Sequence, residues 1–163
     1  MRLDELNSMS REAFAEAVGW VFEDSPWVAE RAWSLQPFHS LEELCRQMNA
    51  RVAEASESEK LALLRAHPDL GTRANVSPSS GTEQSGAGLD KLTQDEYERL
   101  LALNTEYKQK FGFPFLYAVK GSSKFEIIDA LQSRLRGERT AEFSTALEQV
   151  YRIARFRLEE IIQ

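Results

Sequence analysis

Apolar side chains recur at three- and four-residue steps along most of this sequence, the spacing that lines one face of an α-helix, and most runs open on a helix-capping residue. Ser10 precedes a stripe of Phe14, Ala17, Val18, Val21 and Phe22. Asp24-Ser25-Pro26 breaks that helix and starts a second, with Ser25 as cap and Pro26 in the first turn, where proline's missing N–H costs nothing. It carries Trp27, Ala29, Ala32 and Trp33 and ends by Pro37. Ser40 with Glu43, and Ser56 with Glu59, predict capping boxes ahead of Leu44, Met48 and Val52 and ahead of Leu61 and Leu64. Thr93 with Glu96 and Ser123 with Glu126 repeat the device. The first opens a stripe of Tyr97, Leu100, Leu101, Tyr107 and Phe111; the second opens Ile127, Ile128, Leu131 and Leu135, closed by Arg136-Gly137. A last helix runs from about Thr140 to the end. The pattern predicts an all-α, single-domain helical bundle of about seven to nine helices over residues 1–163.

Four places break the pattern. From His67-Pro68-Asp69-Leu70-Gly71 to Ser85-Gly86-Ala87-Gly88, roughly twenty residues lack helical periodicity, which predicts a long central loop of functional type. Pro68 disfavours helical angles in the residue before it, so the fourth helix stops at His67. A helix C-terminus favours imidazolium by a few tenths to about 1 kcal/mol, although a histidine there can also simply cap the last carbonyls. Asn104 falls on the buried stripe of its helix, and a buried amide needs partners, so Asn104 is expected to fasten a neighbouring backbone segment, a loop, rather than do chemistry. Phe111-Gly112-Phe113-Pro114-Phe115 is too aromatic for an exposed loop; Phe115 to Val119 reads as an extended, half-buried segment, either a wall for a small polar heterocycle or a core-filling connector. Arg157 lies seven residues after Val150, in line with Phe143, Leu147 and Ala154. A buried guanidinium requires a carboxylate or an anionic ligand, unless its stem carries the charge to water.

Composition narrows the chemistry. At 163 residues, 42% hydrophobic and 28% charged, the chain can bury a core without metal or disulfide staples. A net charge of -6 argues against a nucleic-acid surface. No run approaches roughly eighteen apolar residues, so no membrane span is expected, and a cytoplasmic location is the default. The one cysteine, Cys45, excludes an intramolecular disulfide, fits a reducing compartment, and sits with Leu41, Leu44 and Met48 as a core thiol. Two histidines and one cysteine cannot build a usual three-ligand metal site without several carboxylates. Gly-x-Ser-x-Gly is absent, and the Gly81 to Gly88 segment has neither the Lys-Ser/Thr nor the preceding strand of a phosphate loop. What remains is a site without metal or cofactor: a histidine, a carboxylate, an amide and a guanidinium.

On these residues the sequence resembles the 2-oxo-4-hydroxy-4-carboxy-5-ureidoimidazoline (OHCU) decarboxylase family. The resemblance is carried by His67-Pro68-Asp69-Leu70-Gly71, the Ser-x-x-Glu-Gln pattern from Ser80 to Gln84, Gly86-Ala87-Gly88-Leu89-Asp90, Leu103-Asn104, the Phe111 to Phe115 run and Arg157-Leu158. Phe22-Glu23-Asp24-Ser25-Pro26-Trp27 and Ala29-Glu30-Arg31-Ala32 extend it over nearly the whole chain. It implies an all-helical carboxy-lyase acting on a small ureidoimidazoline at the third step of urate breakdown, after urate oxidase and hydroxyisourate hydrolase, and releasing (S)-allantoin and carbon dioxide. It implies His67, Glu83 and Arg157 as catalytic residues, with His67 the proton donor and Arg157 an anchor. Pro68, Ser80, Glu83, Gln84 and Arg157 would bind substrate, with the backbone of Phe115, Leu116, Tyr117, Ala118 and Val119 along one side. No metal, cofactor, nucleic acid or membrane is implied, and the assembly would be a homodimer. The Ser/Gly content from Ser77 to Gly81 departs from the family pattern and puts the order of that segment without ligand in question. The competing reading is a helical protein that binds a purine-derived metabolite without turnover.

Overall fold

The computed structural model describes residues 1–71 and 77–163, which form nine α-helices and no strand. These are α1 (Leu3–Asn7), α2 (Arg11–Val18), α3 (Trp27–Ala32), α4 (Leu41–Ala53), α5 (Glu57–Arg65), α6 (Pro78–Gly86), α7 (Gln94–Phe111), α8 (Lys124–Arg134) and α9 (Arg139–Ile161). Short 3-10 turns lie at Gly19–Val21 and Trp33–Leu35. The described chain falls into two compact units, Met1–Ala66 with Val150–Gln163, and His67–Gln149.

Most helix starts follow the caps. Ser10 accepts from the Ala13 N–H, and full capping boxes form at Ser56/Glu59, Thr93/Glu96 and Ser123/Glu126. Three starts or stripes differ. Ser40 caps α4 through the Glu43 N–H at 3.0 Å, but the Glu43 carboxylate takes the His39 N–H at 2.7 Å, so the box is half made. Asp24 turns through a positive φ of 42°, which buries Ser25, and the Ser25 hydroxyl donates to the Glu23 carbonyl. Helix α3 therefore begins one residue later than expected, behind Pro26. On α7 the buried stripe is Leu100, Asn104, Tyr107 and Phe111; Tyr97 and Leu101 lie outside it, 39% and 50% exposed.

In the first unit, α3 packs against α2 and α4, and Phe14 stacks on Phe38 at 5.9 Å. Asn7 holds the Phe38 backbone through both amide atoms, each at 2.8 Å. The chain ends meet there, the N-terminal ammonium donating to the Ile161 carbonyl at 3.0 Å. The second unit is built on α7 and α8, around an aromatic cluster in which Tyr107 touches Phe111, Phe113 and Phe115, and Phe113 touches Phe143. Gly112 ends α7 in the left-handed region, at φ +81°.

Candidate active site

Helix α6 lies where one continuous loop was expected. Its residues, Pro-Ser-Ser-Gly-Thr-Glu-Gln-Ser-Gly, offer no apolar stripe, so periodicity cannot reveal it; its ends can. Ser77 accepts the Ser80 N–H at 3.1 Å, and Pro78 fills the first turn. At the far end the Leu89 N–H reaches the Gln84 carbonyl and the Gly88 N–H the Ser85 carbonyl, both at 3.0 Å, with Gly88 at φ +82°. That is a Schellman cap, closed by a glycine. On this helix Ser80, Glu83 and Gln84 stand three and four residues apart, hence on one face. Ser80 and Gln84 are buried and Glu83 is half-buried.

His67 follows α5 and is 7% exposed. The stretch after it is tied down by two amides. Gln84 accepts the Gly71 N–H through Oε1 at 2.9 Å, and Asn104 of α7 donates from Nδ2 to the Leu70 carbonyl at 2.9 Å. Asn104 thus fastens a loop, as its place on the stripe predicts. Asp69 meets Lys108 at 3.3 Å. Gly71 has φ +81°, and a side chain there would place Cβ 2.5 Å from Leu100 Cδ2. A cavity of about 300 Å³ opens beside Gly71, lined also by Leu89, Leu92, Gln94 and Tyr97.

From Pro114 to Val119 the chain takes no helical or turn structure; Phe115, Leu116, Ala118 and Val119 are buried and Tyr117 half-buried. Several of its backbone groups are engaged, the Val119 carbonyl by the Ser122 N–H at 3.0 Å. Arg134 Nη1 donates to the Leu116 carbonyl at 2.6 Å, and the Ala118 N–H donates to Gln149 Oε1 at 2.9 Å. Arg134 also stacks over Phe115 at 4.6 Å and pairs through Nε with Glu142 at 2.8 Å, and Tyr107 donates to the same Glu142 oxygen at 2.6 Å. Burial, and then the bond to Glu142, push the Tyr107 phenol well above its ordinary pKa. Sequence reasoning missed Arg134, Glu142 and Gln149. A signal existed for Glu142: it lies four residues before Ala146 and eight before Val150, so a charge sits on the buried face of α9, as with Arg157.

Arg157 belongs to the first unit. It is 2% exposed; Nη2 pairs with Glu23 at 2.8 Å, and Nη1 donates to the Val21 carbonyl at 3.2 Å. Its counter-charge is therefore a carboxylate of the chain itself. Cys45, in the same unit, is buried, and burial pushes its thiol pKa up, away from the reactive thiolate. Among the described residues the structure thus joins Gln84 and Asn104 to the chain just after His67, and gives Arg157 its own ion pair.

Comparison with known proteins gives one direction. Residues 7–159 match the family model described as OHCU decarboxylase, a span that runs through both units. The chain is 47% identical over 161 residues to the 2-oxo-4-hydroxy-4-carboxy-5-ureidoimidazoline decarboxylase of Halalkalicoccus jeotgali, covering 99% of this chain and 92% of that one. It is 48% identical over 160 residues to the uric acid degradation bifunctional protein PucL of Bacillus subtilis, covering 98% of this chain but 32% of that longer protein. Among solved structures it is similar to (S)-allantoin synthase, with a TM-score of 0.82 at 32% identity, over 99% of this chain and 54% of that chain.

Proposed function

This chain belongs to the OHCU decarboxylase family, and from that premise we infer that it is a carboxy-lyase converting OHCU to (S)-allantoin and carbon dioxide, the third step of urate breakdown. The substrate's own chemistry makes this possible without a borrowed electron sink. The bond to the carboxylate lies next to a ring C=N. As carbon dioxide leaves, the electron pair forms a C=C bond between the two ring carbons, and the C=N pair moves to nitrogen, which takes a proton. The hydroxyl then loses its proton to become the ring carbonyl, and the neighbouring carbon takes a proton on one face, which sets the stereochemistry. One proton is consumed for each carbon dioxide released.

The protein's tasks are positioning, charge stabilisation and delivery of that proton. His67 manages the proton. Glu83 and Gln84 hold the ureido and ring amides, with Ser80 beside them on the α6 face and Pro68 beside His67. Because Gln84 Oε1 is occupied by the Gly71 N–H, Gln84 meets the substrate as a donor through Nε2. The Leu116 carbonyl and Ala118 N–H are engaged elsewhere, so the Phe115 to Val119 backbone lines the substrate through its other groups, the Leu116 N–H and Ala118 carbonyl among them. Arg157, its charge matched by Glu23, anchors the substrate through its N–H donors. The family match through both units supports one catalytic domain over 1–163.

We further propose a cytoplasmic homodimer. The exposed apolar side chains Tyr97, Leu101 and Phe125 support an interface in the second unit, and none of the described helices is long and apolar enough to cross a membrane.

The observation that carries the reaction is the tie between Gln84 and the stretch that starts at His67: the acid/base group and the substrate-reading amide share one short, fixed piece of backbone. Urate oxidase and hydroxyisourate hydrolase generate the unstable substrate in place, and circular dichroism follows formation of one allantoin enantiomer. Wild-type protein should accelerate it, and His67→Ala should lose about 10²- to 10⁴-fold while staying folded. Wild-type protein that binds without accelerating would make it a binding protein. The mass of the same preparation in solution reads the dimer, and a monomer at micromolar concentration would remove that proposal.

A further inference from the structure

The Leu70 carbonyl and the Gly71 N–H are the two polar groups of a single peptide plane. Asn104 donates to one and Gln84 accepts from the other, each at 2.9 Å. A peptide unit is planar and stiff, so two hydrogen bonds from different helices fix its position and its tilt. Only Pro68 and Asp69 separate this plane from His67. Proline's ring locks one torsion of that link and restricts the residue before it, and Asp69 is itself held by Lys108, one turn beyond Asn104 on α7. Little freedom remains between the clamped peptide and the imidazole.

Asn104 has a further peculiarity. It is 3% exposed, on a stripe otherwise made of Leu100, Tyr107 and Phe111, yet its Oδ1 has no hydrogen-bond partner among the described residues. A buried amide present only for packing or stability would be satisfied at both ends or replaced by leucine. Here one end is orphaned, and the other holds the catalytic stretch.

Resting on the decarboxylase reading, we infer that Asn104 is a positioning residue: through the Leu70–Gly71 peptide shared with Gln84 it sets where His67 presents its proton. Asn104 touches no substrate, so its loss acts on turnover rather than on binding. Asn104→Leu keeps the branched shape and heavy-atom count and removes the donor together with the unpartnered Oδ1. It should remain folded by circular dichroism, lower kcat about 10- to 100-fold, as misplacement by about an ångström does, and leave KM within about threefold.

Asn104→Asp supplies the rescue. Its carboxylic acid can donate to the Leu70 carbonyl and its carboxylate cannot, and burial favours the acid. The kcat of this variant relative to wild type at the same pH should therefore rise as pH falls. A folded Asn104→Leu with wild-type kcat, or one impaired only in KM, overturns the inference. Should Asn104→Leu fail to fold, an Asn104→Asp variant whose relative kcat is flat with pH overturns it instead. Wild-type protein without activity in the same assay overturns the decarboxylase reading, and this inference with it; where the wild type is active, a failure of the variants to behave as expected counts against the role of Asn104 alone.

Discussion

Gly71 ends the His67 stretch in a conformation that L side chains resist, and Leu100 fills the space where a Cβ would go. Gly71→Ala combines a left-handed backbone, which costs a non-glycine residue about 1–2 kcal/mol, with a collision against a side chain that is itself 1% exposed. The expected result is a fall in unfolding free energy of at least that size by urea titration, with loss of turnover; a variant as stable as wild type would mean that the loop is free to readjust. Legibility at this scale depended on which rule a residue broke. Asn104 announced itself as an amide on an apolar stripe, and the loop it holds followed from the need to satisfy that amide. Arg157 announced itself as a charge in line with Val150, but the stripe could not say whether Glu23 or a ligand would answer it. Glu142 broke the same rule at the start of the same helix and was missed, because acidic residues are ordinary in a first helical turn.

Helix α6 is the element the apolar pattern could not show. A helix with no apolar stripe is specified by its ends, here Ser77-Pro78 before it and Gly88 after it. The glycines and serines that suggested loop are within it, and glycine in a helix interior is unfavourable by about 1 kcal/mol. The caps therefore carry an unusual share of its stability. Ser77→Ala should cost about 0.5–2 kcal/mol in chemical unfolding. Because the N–H that Ser77 holds belongs to Ser80, KM should rise as the first turn frays. Unchanged stability and KM would show that the helix is fixed by its packing instead. The other elements were legible for the opposite reason: α5, α7 and α8 have both a capping box and an apolar stripe, so two independent local signals agree.

At the scale of the molecule, the all-helical class follows from local periodicity, whereas the division into two compact units rests on pairings far apart in sequence, such as Met1 with Ile161, which no local pattern encodes. Each unit also holds a tyrosine whose phenol is pushed above its ordinary pKa of 10.0: buried Tyr107 by burial and its bond to Glu142, and half-buried Tyr151 by partial desolvation. A raised folded pKa means that the stability contributed is intact below the unfolded value and is lost as pH climbs from there toward the folded value. In that window the unfolded chain gives up a proton that the folded chain keeps, so Tyr107, whose shift is large, steepens the loss by up to about 1.4 kcal/mol per pH unit. Tyr107→Phe keeps the ring in its aromatic cluster and leaves Glu142 paired with Arg134. Lysine deprotonation and the chain's negative charge affect wild type and variant alike. Urea unfolding at about pH 9.5 and about pH 11.5 should therefore show wild type losing about 1–2 kcal/mol more than Tyr107→Phe between the two. Equal losses would mean that the phenol ionises in the folded protein as readily as in water, which a buried hydroxyl bonded to a carboxylate should not do.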